Sequence, residues 1–201
     1  MSTARSDIGV CVFNEEVWVI GGMTQSGDNL SSCERVDTVT GTWVPGPNMT
    51  TPRCGHRVAV LRGELWVFDG EDTSCTERLD AVTKQWVCGP EMMKCRACFG
   101  LALFQGQLWN VGGWDEDNED ALASCEYLDA ASNTWMVGPP MITPRWGHGL
   151  AVVDGQLWAV GGQGADDEVL ASSEYLDAAA NAWVAGPDLP VPTCGLCCAV
   201  K

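Results

Sequence analysis

Short apolar runs recur along the chain in pairs, and the second run of each pair ends in glycine. The glycine-ended run occurs four times, at 17–22, 65–70, 108–113 and 157–162. Apolar runs of this length between glycine-containing turns are typical of β-strands. No stretch carries the 3.6-residue period of a helix. The pattern therefore predicts an all-β protein built from short strands.

A tryptophan after each glycine-ended run sets the register of an internal repeat, and its copies are Trp43, Trp86, Trp135 and Trp183. Nine residues before these tryptophans stand Glu34, Glu77, Glu126 and Glu174. Six residues before them stand Asp37, Asp80, Asp129 and Asp177. Gly-Pro follows three residues after each, and ten residues after the first three come Arg53, Arg96 and Arg145. Offsets that hold throughout indicate tandem copies of one unit.

Each repeat is expected to contain four strands. The first is an apolar run such as 58–61 or 150–153, and the second is the glycine-ended run. The third is the segment at 125–129 and its equivalents, and the fourth begins with the tryptophan and stops at Gly-Pro. Four short antiparallel strands in tandem repeats predict the blades of a β-propeller. We place the repeats at about 5–52, 53–95, 96–144 and 145–192 of a single domain, 1–201.

The opening strand of the repeat occurs five times rather than four. Arg5 takes the position of the repeated arginine before the first copy, and residues 193–200 begin a fifth copy. A closed ring of four blades would make the first and last copies compete for one position. We therefore expect an open or incomplete propeller, which could be an open arc, part of a ring shared with another chain, or a fragment. Exposed strand edges would then permit self-association.

The segment after the glycines differs most between repeats. The spacing from the last glycine to the repeated glutamate is 12, 7, 13 and 12 residues, which indicates a surface loop. Asp69 replaces the first glycine in the second repeat. We assign structural roles to the repeated tryptophans and to these glycines: Gly21, Gly22, Gly70, Gly112, Gly113, Gly161 and Gly162.

Composition narrows the possible partners. Asp and Glu number 27 against 11 Lys and Arg, and the formal net charge is −16. Nucleic acids and anionic membranes are attracted by basic surfaces, so neither is expected here. The charge instead favours a basic protein partner. The chain has 11 cysteines and no signal-like leader, which favours a reducing, cytoplasmic setting.

The loops after the glycines are acidic and are expected on one rim of the propeller. They form a candidate surface for a basic partner or a cation, with solvating charge as the alternative. Its candidate residues are Asp28, Glu71, Asp72, Asp115, Glu116, Asp117, Asp166, Asp167 and Glu168.

Other motifs with possible chemistry have structural explanations, so no metal site, catalytic residue or cofactor is predicted. Residues 115–126 resemble an EF-hand loop without its glycine, and 161–166 form one copy of a calcium motif that works in tandem. The Cys-x-x-Cys pairs at 95–98 and 194–197 do not align in the repeat, and structural thiols are expected. His56 and His148 share one repeat position, which favours an architectural role.

The glycine-ended strand, the Cys-Glu-Tyr-Leu-Asp segment at 125–129 and the tryptophan together resemble the kelch repeat over about residues 5–200. Tyr127 and Tyr175 match its tyrosine, which Arg35 and Arg78 replace. The WD40 signature occurs only once, at 114–115.

The kelch resemblance implies a protein-interaction module, such as a substrate adaptor or scaffold, that binds through loops on one propeller face. It also implies that the arginines between repeats contribute to that face: Arg5, Arg53, Arg96 and Arg145. Their guanidinium groups could bind a partner's carboxylates or pair with acidic loops of the chain itself. Alternatives are a kelch-fold enzyme, oxidase-like or epimerase-like, and a truncated non-functional fragment. We do not expect an enzyme, because the two histidines and two tyrosines occupy repeat positions.

Overall fold

A computed structural model describes residues 1–68, 70, 74–129 and 131–196. Strands are the regular structure throughout this part of the chain, and no helix in it could cross a membrane. The strands are β1 (Gly9–Phe13), β2 (Glu16–Ile20), β3 (Cys33–Asp37), β4 (Thr42–Pro45), β5 (Arg57–Leu61), β6 (Glu64–Phe68), β7 (Thr76–Leu79), β8 (Trp86–Cys88), β9 (Gly100–Phe104), β10 (Gln107–Val111), β11 (Trp114–Asp115), β12 (Asp120–Ala121), β13 (Cys125–Asp129), β14 (Thr134–Gly138), β15 (Gly149–Val153), β16 (Gln156–Val160), β17 (Ser173–Asp177) and β18 (Ala182–Ala185).

The chain divides into two compact units, an N-terminal unit (Met1–Cys95) and a C-terminal unit (Arg96–Lys201). The N-terminal unit contains the sheets β1-β2-β3-β4 and β5-β6-β7-β8. The C-terminal unit contains β14-β13-β10-β9 and β15-β16-β17-β18, with β11 and β12 as a ribbon in a loop. All pairings are antiparallel, and each sheet is open. The predicted four antiparallel units of four strands are therefore confirmed.

Local chemistry explains the turns within each sheet. Asn14 and Glu15 join β1 to β2, and both have positive φ, 51° and 63°. A two-residue turn in which both residues have positive φ has a backbone twist that matches the right-handed twist of the flanking strands. The repeated aspartate closes the turn between the third and fourth strands. Asp177 Oδ1 accepts hydrogen bonds from the backbone N–H groups of Ala179, at 2.9 Å, and Ala180, at 3.1 Å.

The Gly-Pro step packs against a tryptophan of its own sheet and accepts a hydrogen bond from the next sheet. A Cβ on Gly138 would lie 2.7 Å from the ring of Trp109, so only glycine fits there. The proline after that glycine accepts a hydrogen bond from the next sheet, because Trp183 Nε1 donates to the carbonyl of Pro139 at 3.0 Å. The bond from Trp86 Nε1 in the N-terminal unit is equivalent. Trp86 and Trp183 therefore join adjacent sheets, each within its own unit.

Each unit has its own hydrophobic core between its two sheets. In the N-terminal unit the cluster includes Trp18, Leu65 and Trp86, and in the C-terminal unit it includes Trp109 and Trp183. Trp86, Trp135 and Trp183 are 4–5% exposed, whereas Trp43 is 37% exposed. The structural role assigned to the repeated tryptophans therefore includes burial in the last three copies only.

The predicted fifth repeat begins in the same way as the earlier ones. Thr193 donates its backbone N–H to Leu170 and accepts one from Gly162, as Arg53 does with Leu30 and Gly22. The rest of the expected strand, 197–200, lies outside the described residues, so that strand stays a prediction, as does the single domain.

We expect Trp183→Phe to destabilise the C-terminal unit by about 1–2 kcal/mol, because it removes the indole donor and leaves the carbonyl of Pro139 without it. Urea unfolding followed by circular dichroism measures the change. Trp43→Phe is the matched control and is expected to stay within about 0.5 kcal/mol, because Trp43 is largely exposed. Equal losses in the two variants would contradict this role for the tryptophan.

Candidate functional site

The repeated arginines are buried and form ion pairs with the repeated glutamates. The distances from Nη2 to Oε1 are 3.0 Å for Arg5–Glu34, 2.7 Å for Arg53–Glu77, 2.6 Å for Arg96–Glu126 and 2.7 Å for Arg145–Glu174. The arginine side chains are at most 1% exposed. We therefore correct their assignment to a partner-binding face. Their ion-pair partners are the repeated glutamates rather than the acids of the loops.

Each pair holds together segments that are distant in sequence. Arg145 Nη1 donates to the carbonyls of Gly161, at 2.8 Å, and Ser172, at 3.0 Å. Glu174 accepts backbone N–H groups of Ile142, at 2.6 Å, and Thr143, at 2.9 Å. The end of the preceding repeat, the glycine turn and the third strand therefore meet at one salt bridge.

The hydrogen bonds also determine the charge of these carboxylates. Burial alone would raise the pKa of Glu77, but hydrogen bonds from Arg53 and Thr50 outweigh burial and lower it. The same balance, with Ser2 and Arg5 as the favourable groups, lowers the pKa of Glu34. Charged pairs of this kind persist in a core when further hydrogen bonds support the ion pair, as those from the backbone N–H groups of Ser2 and Thr50 do here.

The histidines have the architectural position that the repeat indicated. His56 Nε2 donates to the carbonyl of Ile20 at 3.1 Å, and burial lowers the pKa of the imidazole to about 3. A Cβ on Gly9 would lie 2.7 Å from that nitrogen, so β1 must begin with glycine. His148 lies against Gly100 in the same way.

The acidic loop residues differ in exposure. Asp28 is exposed and accepts a hydrogen bond from Ser26 Oγ, while Glu71 and Asp72 lie outside the described residues. Asp115 is only 3% exposed and accepts from Asn118 Nδ2 at 2.7 Å, so its assignment to a partner surface is corrected to stabilising its own loop. Glu116 is half-buried. The remaining candidates are exposed: Asp117, Asp166, Asp167 and Glu168.

Two tryptophans that the sequence reasoning did not select lie beside these loops in the C-terminal unit. Trp146 exchanges backbone hydrogen bonds with Gln163, and its ring contacts that of Trp114 edge-on at 5.6 Å. The loops at 114–121 and 163–169 therefore lie side by side. We call these two loops with Trp146 the acidic face. Trp114 and Trp146 occur at repeat positions where the other copies have no tryptophan, and this departure in the sequence could have identified them as candidate site residues.

The acidic face has no basic residue of its own. Its two loops contain eight acids and no Lys or Arg: Asp115, Glu116, Asp117, Glu119, Asp120, Asp166, Asp167 and Glu168. The nearest repeated arginines in sequence, Arg96 and Arg145, already pair with Glu126 and Glu174.

The motifs considered for metal binding give no site in the described part of the chain, where no three His, Cys, Asp or Glu side chains are gathered. Burial raises the pKa of the Cys33 and Cys125 thiols to about 12, which suits structural cysteines. Cys197 and Cys198 lie outside the described residues.

Comparisons with known proteins agree with this architecture. A family model described as the Kelch motif matches residues 4–50, 95–142 and 144–190. Over 70 residues, 35% of this chain, an F-box/kelch-repeat protein of Arabidopsis thaliana is 34% identical and β-scruin of Limulus polyphemus 37%. These matches cover 19% and 8% of the relatives' own lengths.

A solved structure, that of YjhT, superposes with a TM-score of 0.84 at 14% identity, covering 96% of this chain and 73% of that one. Identity this low shows the fold alone. The fold is that of kelch-type β-propeller blades, as predicted.

We expect Arg145→Met to destabilise the C-terminal unit by about 3–5 kcal/mol, because it leaves Glu174 as an uncompensated buried charge. Denaturant unfolding measures the loss. Arg78→Met is the control, since the Arg78–Glu64 pair is about one-third exposed and is expected to contribute less than about 1 kcal/mol. A similar small loss in both variants would contradict a structural role for the buried pair.

Acidification is expected to destabilise the N-terminal unit before its carboxylates titrate. The pKa of His56 is lowered from 6.5 to about 3 in the folded state, so the unfolded state binds the proton first. This contribution to stability is complete above pH 6.5 and is lost as the pH falls towards 3. Between pH 6.5 and 5 the loss is about 2 kcal/mol. His56→Gln should lose less over the same interval in urea titrations, and an unchanged loss would refute the assignment.

Proposed function

This chain belongs to the kelch-motif family, and on that premise we propose that it is a protein-interaction module that binds a basic partner through loops on one face of its blades. The observation that carries the proposal is the acidic face. Exposed Asp117, Asp166 and Asp167 lie there beside two tryptophans, without a basic side chain in either loop.

Electrostatics supports a basic partner. Like charges held together on one surface repel each other, and a cationic segment relieves that repulsion while it gains long-range attraction. Arg96 and Arg145, the repeated arginines nearest to these loops in sequence, form buried ion pairs with Glu126 and Glu174. The net charge of −16 favours the same class of partner and disfavours nucleic acid and anionic membranes.

The tryptophans supply the apolar part of such a surface. Trp114 and Trp146 are both half-buried, so part of each ring is accessible. Trp is enriched among the residues that dominate binding energy at interfaces. Lys and Arg side chains also bind favourably over its ring face. A segment with a basic residue could therefore contact the rings and the acids together.

We propose substrate-adaptor or scaffold activity as the role, in keeping with the relative named an F-box/kelch-repeat protein. The cytoplasm remains the proposed location.

Self-association also remains a proposal, supported by β1, an edge strand on which Val10 and Val12 are 52% and 66% exposed. We propose a non-catalytic role, and stoichiometric copper or iron in the purified protein would contradict it.

Peptides selected from a random display library on the purified chain should be enriched in Lys and Arg, and their affinity should fall as salt increases. Asp167→Lys should weaken binding about tenfold or more, a change of about 1.4 kcal/mol. Asp154→Lys is the matched control, because both aspartates are exposed, have positive φ and change the net charge equally. Salt-independent binding, or equal losses in both variants, would refute the basic partner.

A further inference from the structure

The C-terminal unit contains a pocket of about 160 Å³ between its two sheets. The first sheet supplies one wall from β9, β10, β13 and the β9–β10 turn, and the second supplies the other from β17 and the turn that follows it. The pocket is lined by Phe104, Gln105, Gln107, Trp109, Tyr127, Leu176, Ala178 and Asn181. We call it the amide pocket.

The large apolar side chains that line the amide pocket are buried and packed against each other. Phe104, Trp109 and Leu176 are buried, with 2–6% exposure. The Trp109 ring meets Phe104 edge-on at 6.0 Å and stacks on Tyr127 at 4.9 Å. Trp109 Nε1 is buried and has no hydrogen-bond partner among the described residues.

The polar lining is neutral and unsatisfied by the protein. Gln105, Gln107 and Asn181 contribute carboxamides, and Tyr127 contributes a hydroxyl. Within the described chain, none of these four side chains forms a hydrogen bond. A carboxamide offers two donors and an acceptor, so the lining can both donate and accept. It contains no Asp, Glu, Lys, Arg or His.

The N-terminal unit provides an internal comparison at the same repeat positions. The apolar residues are identical in the two units, and the pairs are Phe13 and Phe104, Trp18 and Trp109, Leu79 and Leu176, and Ala81 and Ala178. Three polar positions change together from charged to neutral, and these pairs are Glu16 and Gln107, Arg35 and Tyr127, and Lys84 and Asn181.

Two of these charged residues of the N-terminal unit, Glu16 and Arg35, satisfy each other. Arg35 forms a salt bridge to Glu16 across the position that Tyr127 and Gln107 occupy in the C-terminal unit. The apolar residues around this position are therefore the same in both units. In the C-terminal unit its polar groups remain available to a ligand.

We propose that the amide pocket binds a single neutral sugar ring. Neighbouring hydroxyls of a sugar donate and accept together, which matches the carboxamides, and its C–H face can pack on the partly accessible ring of Tyr127. The pocket is a half-open depression of about 160 Å³, so part of a single ring can enter it while the rest stays in solvent. A charged ligand would lose hydration without gaining an opposite charge, so the lining selects against it.

This pocket is separate from the acidic face. Gln107 begins β10, whereas Trp114 follows the end of that strand. The five residues of that strand place its two ends about 14 Å apart. Sugar binding and partner binding can therefore be tested independently.

The test titrates the full chain with methyl glycosides of glucose, galactose, mannose and N-acetylglucosamine, with glucuronic acid as the charged probe. Saturation-transfer NMR and tryptophan fluorescence report binding. So small a site is expected to give a Kd on the order of 1 mM for at least one neutral glycoside and at least tenfold weaker binding of glucuronic acid.

The decisive variant transfers the salt bridge of the N-terminal unit into the C-terminal unit as Gln107→Glu with Tyr127→Arg. The chain already accommodates this pair at Glu16 and Arg35, so the variant should fold, which circular dichroism checks. Its affinity for the glycoside should fall at least tenfold. Asp167→Lys, on the acidic face, is the control and should leave sugar binding unchanged.

Three outcomes would overturn the proposal. The first is no binding of any neutral glycoside up to about 50 mM. The second is binding that the double variant leaves intact, which would assign the sugar to another site. The third is a peptide selected on the chain that loses affinity in the double variant while no glycoside binds, which would identify the pocket as a receptor for a partner's neutral side chain.

Discussion

The buried arginine–glutamate pair is the interaction on which each repeat depends. Arg145 contacts the carbonyls of Gly161 and Ser172, and its partner Glu174 receives the backbone N–H groups of residues 142 and 143. The pair therefore fixes where one repeat ends, where the glycine turn lies and how the third strand enters. A buried charge without these contacts would be strongly unfavourable, which couples the segments to each other.

The repeats differ from each other at positions that are constrained neither by the buried salt bridge nor by close packing. The glycine beside the tryptophan is present in all four repeats, because a Cβ there would overlap the ring, whereas the glycine that lies against His56 or His148 is replaced by Arg57 in the second repeat. The loops after the glycines vary in length and charge, and the position of Tyr127 holds either an aromatic ring or an arginine. Function is therefore expected at these variable positions, which repeat geometry brings to the two ends of the strands.

The C-terminal unit has a different chemistry at each end of its strands. At the glycine end, acids surround two tryptophans, and this surface suits a cationic segment of a protein. At the other end, neutral amides surround an aromatic wall, and that pocket suits an uncharged ligand. The pocket is lined by Gln107 and Trp109 of β10, and the first acidic loop begins after the end of that strand.

The sequence by itself determined the repeat, the four strands of each copy, the turn residues and the family, because these follow from spacings within one repeat. It also indicated that His56 and His148 are architectural. Tertiary structure alone decided that Arg53, Arg96 and Arg145 are buried beside Glu77, Glu126 and Glu174, and that Asp115 turns inward. The contact between Trp146 and Trp114 and the existence of the amide pocket are likewise seen only in the folded structure. These outcomes depend on contacts between residues far apart in sequence, such as Arg145 and Glu174, and no local spacing reports such contacts.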